Sequence, residues 1–295
     1  MVNDTPLLVG IDGGGSKCSA MIFNARGDML AHGIGGPANV ARDLSTSLVS
    51  IVESIQQALK QGGFDQDNIK HLHVGAGLAG ACVTSVNAQL KAWQHPFASF
   101  KVSSDLMTAC YGAHGGQDGA LLIVGTGSSA AHMLNDKLTQ FGGHGFILGD
   151  KGSGAWLGRS AVSSTLEALD GLSAFTDLHA MVKNKLNVDS TAALVQTMIA
   201  ASPSEFASLA PEILTLASEG EVNARSLVTE GAGYLDKLCR RTLQDNDLSL
   251  VLMGGLAAQI KPWLSTMVTE RIIQAKAGPE WGAMRLLQNP PQVAC

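Results

Sequence analysis

One pattern occurs twice in this 295-residue chain and restricts its fold more than any other feature. The stretches "LLVGIDGGGSKCSAMIFNARGDMLAHG" from Leu7 and "GALLIVGTGSSAAHMLNDKLTQFGG" from Gly119 each give an apolar strand, a glycine loop, a second strand, a polar turn and a third strand. Short apolar runs bounded by glycine and turn residues read as strands, so each stretch predicts three strands joined by tight turns. Their common order predicts an internal duplication. After the first copy, Leu48, Ile51, Val52, Ile55 and Leu59 form a helical stripe that stops at Gly62 and Gly63. A strand–helix rhythm follows: "HLHVGAGLAG", "TSVNAQLKAW", "FKVSSD", "LMTACYGAH". After the second copy come helical segments from Ala161 to Leu243, a buried strand "LSLVLMGG", a helix from about Leu256 and a last helix from Pro279. The expected organisation is α/β: one half at 1–117, a second at 118–278 with a cleft between them, and a C-terminal helix within 279–295 that packs back on the first half.

Composition narrows the function. A net charge of −5 with scattered Lys and Arg offers no basic surface, which argues against nucleic acid or an anionic membrane as partner. No apolar run reaches the roughly 18 residues of a membrane span, and "MVNDTPLL" lacks the features of a secretion signal. A cytoplasmic enzyme acting on a small molecule is the expectation. Cys18, Cys82, Cys110, Cys239 and Cys295 are far apart and form no C-x-x-C. They suggest neither a disulfide framework nor a zinc or iron–sulfur site, and read as buried small residues in a reducing compartment. Aromatic residues make up only 5%, so the core has to be Ala, Leu, Val and Gly, with chain close to chain.

The stretch "GIDGGGSK", Gly10 to Lys17, looks made for phosphate, and three loop types compete for it. A Walker A loop needs G-x-x-x-x-G-K-[ST] opening into a helix; here Ser16 separates Gly15 from Lys17, and strand follows. A dinucleotide fold finds its G-x-G-x-x-G in "GAGLAG", Gly75 to Gly80, with Asp105 at the end of the next strand, but the chain opens with a glycine hairpin instead. The third type is a phosphate-binding β-hairpin used twice, whose backbone N–H groups point at an anion that glycine lets come close.

The segments "GIDGGGSK", "VGTGSS" and "LMGGLA", in that order and at these separations, resemble the phosphate-1, phosphate-2 and adenosine segments of the actin-like ATPase superfamily of sugar kinases, actin and Hsp70. More narrowly, "SDLMTACYGA" and "FGGHGFILGDKGSGAWLG" look like the N-acetylglucosamine and glucosamine kinases of the BadF/BadG/BcrA/BcrD ATPase family. The resemblance implies two ribonuclease-H-like lobes around a cleft, with ATP and Mg²⁺ as cofactors and a small sugar as substrate. A homodimer is also expected. Asp12 would hold the metal ion. Gly13, Gly14, Gly15, Ser16 and Lys17, with Gly125, Thr126, Gly127 and Ser128, would bind the nucleotide phosphates. Gly254 and Gly255 would let the adenosine lie against the backbone.

For the acceptor, the resemblance makes Asp105 the general base that takes the sugar hydroxyl's proton; an aspartate at a strand–helix junction also suits an N-cap. Asn39, Thr126, Gly127, His144 and Asp150 would join Asp105 around the sugar, although Asn39 is equally natural as a turn residue and His144 as a loop histidine. Trp156 reads as core. The acceptor implied is the 6-hydroxyl of N-acetylglucosamine, with glucosamine as the alternative. Phe141 and His144 depart from the cysteine and tryptophan of mammalian acetylglucosamine kinases, so the acetamide pocket does not transfer. Lobe closure with hinges after "GAHGG" and near Pro279 would exclude water. Two rivals share the fold: an activator ATPase of acyl-CoA dehydratases, which needs clustered cysteines, and a sugar sensor, which carries a helix-turn-helix ahead of its first strand.

Overall fold

The structure is a computed structural model and describes residues 6–243 and 247–288. The chain forms two compact units, one from the residues up to 119 with 133–138 and those from 274 on, the other from 120–132 and 139–273.

In the first unit, β1 (Leu8–Gly13), β2 (Cys18–Phe23) and β3 (Met29–Gly35) form the expected meander. They are followed by α1 (Leu44–Gln61), β4 (His73–Leu78), α2 (Thr84–Ala92), β5 (Ser99–Ser104) and α3 (Asp105–His114). β1 pairs antiparallel with β2 and parallel with β4, giving the sheet order β3-β2-β1-β4-β5. In the second copy, β6 (Gly119–Val124), β7 (Ser128–Leu134) and β8 (Lys137–Gly142) repeat the meander, and the β7–β8 turn uses Asn135 and Asp136 at φ 51° and 60°. Two successive left-handed residues suit a two-residue hairpin turn that follows the strands' twist. Six helices come next: α4 (Gly154–Leu169), α5 (Asp177–Leu186), α6 (Thr191–Met198), α7 (Pro203–Ala207), α8 (Ala210–Glu219) and α9 (Val222–Leu243). β9 (Leu250–Met253), α10 (Ala257–Ile260), α11 (Thr266–Thr269), β10 (Ile272–Ile273) and α12 (Pro279–Gln288) complete the described chain.

The second sheet runs β8-β7-β6-β9-β10, so in both sheets the order is third, second, first, fourth, fifth strand. The duplication read from the two meanders is therefore present in the topology. Three details differ from expectation. The helix from Leu256 is broken, because Pro262 cannot continue it and leaves a 3₁₀ turn at Lys261–Trp263 between α10 and α11. β10, only two residues long, and the 3₁₀ turn at Gln66–His71 carry too little periodicity to be read from sequence. Among the cysteines, Cys18, Cys110 and Cys239 are buried free thiols as expected, whereas Cys82 is exposed and disulfide-bonded. Cys295 lies outside the described residues.

The first unit's core, built on Val9, Ile11, Ile22, Ile51, Ile55, Val74 and Leu78, is small-residue-rich, with Cys18, Ala20, Ala58 and Ala76 fully buried. Its tightest seam is α12, which lies against β1, β4 and α3. A Cβ placed on Gly10 would overlap the Glu280 carbonyl, and one on Gly75 would overlap the Ala283 carbonyl. Only glycine lets the helix backbone sit this close to the strands. Gly10→Ala should therefore destabilise the protein by roughly 3 kcal/mol in denaturant unfolding, at the upper end of overpacking costs. Gly233→Ala on the exposed face of α9, where a Cβ meets nothing, should instead stabilise by about 0.5–1 kcal/mol.

Candidate functional site

β1 carries Asp12 to its last-but-one position, opposite Ser19 on β2. The connecting turn closes with Gly14 N–H donating to the Lys17 carbonyl at 3.0 Å. Gly15 and Ser16, at the tip, are exposed and their N–H groups have no acceptor among the described residues. Two unpaired backbone donors at a turn tip are what an anion needs, and Gly15 has no atom within 4 Å of where a Cβ would stand. Lys17 is exposed in the turn itself, one residue before β2 begins.

The ground beneath that turn is acidic. Asp12 is raised from 3.8 to about 6, by burial first, then by the charges of Glu280 and Asp105, against a lowering by Lys17. Asp105 is also raised, again by burial, against a lowering by the backbone N–H groups of Leu106, which donates to Oδ1 at 2.9 Å, and of Asp105 itself. Asp105 is not the N-cap that its position suggested: Ser104 fills that role by accepting from Met107 N–H at 3.1 Å. The Asp105 carboxylate does not supply the N-cap bond, although it still takes the Leu106 N–H of the first turn of α3. Glu280, which the sequence did not single out, arrives on the first turn of α12 with only 8% of its surface exposed. No motif marks it; the sequence signal is an acidic residue after Gly-Pro at a helix start, which ordinarily means nothing more than a favourable helix terminus.

Asn39 lines a pocket of about 230 Å³ with Gly15, Pro37, Arg42, Asp43, Thr46 and Ser47. Its Oδ1 accepts from Ala41 and Arg42 N–H, both at 3.2 Å, so it makes the turn, and its amide N–H₂ has no hydrogen-bond partner among the described residues. The "GAGLAG" glycines serve packing instead. Gly75 and Gly77 lie within β4, facing α12 and Thr108, and α2 starts only at Thr84, so no glycine loop opens a helix there.

In the second unit, Gly125, Thr126 and Gly127 form the turn between β6 and β7, and Ser128 opens β7. Gly125 N–H donates to the Gly127 carbonyl at 2.9 Å, and the N–H groups of Thr126 and Gly127 have no acceptor among the described residues. Asp150 packs against this turn: a Cβ on Gly127 would stand 2.7 Å from Asp150 Oδ2. Asp150 is 8% exposed, adopts φ 57°, and its Oδ1 accepts from Gly145 N–H at 3.2 Å. A left-handed aspartate costs on the order of 1 kcal/mol, which the fold sustains to hold this side chain against the loop. Burial raises Asp150, opposed by the Gly145 N–H and by His144, which places His144 within electrostatic reach. Ser128 Oγ donates to the Lys151 carbonyl at 3.0 Å and so ties the turn rather than presenting its hydroxyl. Gly254, at φ 101°, meets the Val124 carbonyl, and Gly255 approaches Gly125. The structure thus brings together Gly125–Ser128, Asp150 and Gly254–Gly255. Trp156, read as core, is half-buried beneath Lys151, whose Nζ lies 5.5 Å from its ring centroid.

No group of three or more His, Cys, Asp or Glu among the described residues could hold a metal ion by itself. Asp12 with an uncompensated carboxylate nearby nevertheless fits Mg²⁺, which binds through one or two carboxylates and takes its other ligands from phosphate and water. The sequence matches the BadF/BadG/BcrA/BcrD ATPase family over residues 9–283. The chain belongs to this family. It is 34% identical over 290 residues to the glucosamine kinase GspK of Vibrio cholerae serotype O1, covering 96% of each chain. A provisionally assigned N-acetylglucosamine kinase from Chromobacterium violaceum superposes with a TM-score of 0.89 at 29% identity, covering 96% of this chain and 99% of that one. The ROK hexokinase of Thermus thermophilus, at 16% identity and a TM-score of 0.54, covers 95% of this chain and 97% of its own and shows the shared sugar-kinase fold alone. No helix among the described residues is long and apolar enough to cross a membrane.

The β1 aspartate carries a stability cost. Asp12 holds its proton more tightly folded than free, so stability is lost as pH rises from 3.8 through about 6. In EDTA at pH 7.5, Asp12→Asn should be more stable than the native protein, by on the order of 3 kcal/mol at one pKa unit per 1.4 kcal/mol. The gain should vanish below pH 4, as read by denaturant midpoints across pH.

Proposed function

We propose that this protein is an ATP-dependent amino-sugar kinase that transfers the γ-phosphoryl group to the 6-hydroxyl of its acceptor. The observation that carries the reading is Asp105: a buried carboxylate at the start of a rigid helix, with its capping duty taken over by Ser104. The hydroxyl proton passes to Asp105 as the sugar oxygen attacks the γ-phosphorus. The bond from that phosphorus to the bridging oxygen breaks, and ADP leaves with its electron pair. The N–H groups of Gly15 and Ser16 and those of Thr126 and Gly127 receive phosphate oxygens, while Gly254 and Gly255 leave room for the adenosine. When bound through Asp12, Mg²⁺ supplies positive charge to those oxygens. Asp150 and the Asn39 amide orient sugar hydroxyls, with His144 beside Asp150.

Glucosamine is favoured as acceptor by the 34% identity to a glucosamine kinase over nearly the whole chain. N-acetylglucosamine is the second reading, favoured by the close superposition on the Chromobacterium violaceum protein. Coupled ADP release with Mg-ATP, measured against glucosamine, N-acetylglucosamine, glucose, N-acetylmannosamine and no sugar, tests both: turnover with an amino sugar is expected, and silence across the panel would refute the kinase reading.

Two variants test the residues. Asp105→Ala should lower kcat by at least about 10²-fold with ADP binding retained, and the acid limb of the native kcat/KM profile should lie above the ordinary aspartate range, since only the ionised base accepts the proton. Asp150→Ala should raise the sugar KM roughly 10- to 100-fold, as for loss of a charged hydrogen-bond acceptor, and leave the ATP KM within about twofold.

A further inference from the structure

Glu280 is more than nine-tenths buried. Its Oε1 accepts from Ser19 Oγ at 2.5 Å, and Ser19 Oγ lies 3.0 Å from His32 Nε2. Ser19 is the cross-strand partner of Asp12, so the tether sets the glutamate beside the β1 carboxylate. Oε2 has no hydrogen bond, and Glu280 has no ion pair, among the described residues. Oε2 is not one of the buried polar atoms left without a partner, so it reaches solvent, where a cation can meet it. The charge of Glu280 weighs on Asp12 more than that of Asp105 does, and Lys17 is the one opposing charge acting there.

These carboxylates stand beside a turn whose free N–H groups suit a phosphate. A phosphate approaching Asp12, Glu280 and Asp105 meets like charge, so the arrangement is consistent only when a cation arrives with the nucleotide. A glutamate serving only to favour the N-terminus of α12 would need neither deep burial nor a tether to β2.

We propose that Glu280 is a positioning residue of the nucleotide site: held by Ser19, it supplies the second carboxylate that draws the cation of a metal–nucleotide complex to Asp12. The proposal rests on the kinase reading above. Its test needs no sugar and no turnover: calorimetric titration of ADP into the full chain, first in EDTA and then in excess Mg²⁺. Native protein should bind ADP more tightly with Mg²⁺. Glu280→Gln should bind metal-free ADP within about twofold of native, yet lose roughly tenfold of the Mg²⁺-dependent gain, the usual scale for outer-shell metal partners. Its melting temperature in EDTA should not fall, because glutamine still accepts from Ser19 and the like charge beside Asp12 is gone.

An unchanged Mg²⁺ gain would overturn the proposal, as would an equal loss of affinity with and without metal accompanied by a lower melting temperature, the mark of a purely structural glutamate. Should Glu280→Gln fail to fold, Ser19→Ala takes its place: releasing the tether should reduce the gain at least about threefold, and no reduction overturns the proposal. Native protein that binds ADP equally with and without Mg²⁺ would overturn this inference and leave the kinase reading to the sugar panel. Native protein that binds no ADP would overturn the kinase reading itself.

Discussion

The backbone-close seating of α12 on β1 and β4 is the constraint on which the acidic centre of the first unit depends. β1 ends in a glycine turn whose tip N–H groups have no acceptor among the described residues, and it is flanked by carboxylates, more than so short a strand supplies from its own residues. The third carboxylate comes instead from a helix more than 260 positions further along, and it reaches Ser19 at hydrogen-bond distance because Gly10 and Gly75 carry no side chain in the way. Packing and chemistry are thus the same feature here. The glycines that could pass for a dinucleotide fingerprint earn their place through this seam.

The second unit solves the equivalent problem differently. Its turn, Gly125 to Gly127, is buttressed by Asp150 in a left-handed conformation and by Gly254 lying on the Val124 carbonyl. Three segments far apart in sequence meet at one turn, each with a residue that fits only at close quarters. The first unit gathers negative charge around the unpaired N–H groups of its turn; the second gathers a single carboxylate with a histidine in electrostatic reach. Two copies of one sheet have thus diverged in what they set around their glycine turns.

Most of the topology was legible because it is written in short-range signals: strand, glycine, strand, turn, strand, twice over, with a period-3.6 stripe for α1. Even the departure at Leu256 has a local cause in Pro262. The candidate site was legible only where a glycine loop or a strand–helix junction made a side chain conspicuous, as for Asp12, Asp105 and Asp150. Glu280 escaped because its environment is made by tertiary packing; an acid after proline at a helix start looks the same whether it faces water or a neighbouring carboxylate. The capping of α3 was misjudged for a related reason, since Ser104 and Asp105 are both good caps and only the backbone dihedrals decide between them. Cys82 likewise could not be told from its buried counterparts by spacing.

The seating of α12 also imposes an order of events on the growing chain. Every strand of the first sheet and its own helices are made before the second unit, but the surface of β1 and β4 around Gly10 and Gly75 has no cover until the residues after 278 follow. During synthesis the first unit therefore waits, with an apolar, side-chain-poor sheet face open to water or to a chaperone, while all of the second unit emerges. A protein built this way cannot acquire its acidic centre early and its second unit late: the glutamate of that centre is made only after the second unit.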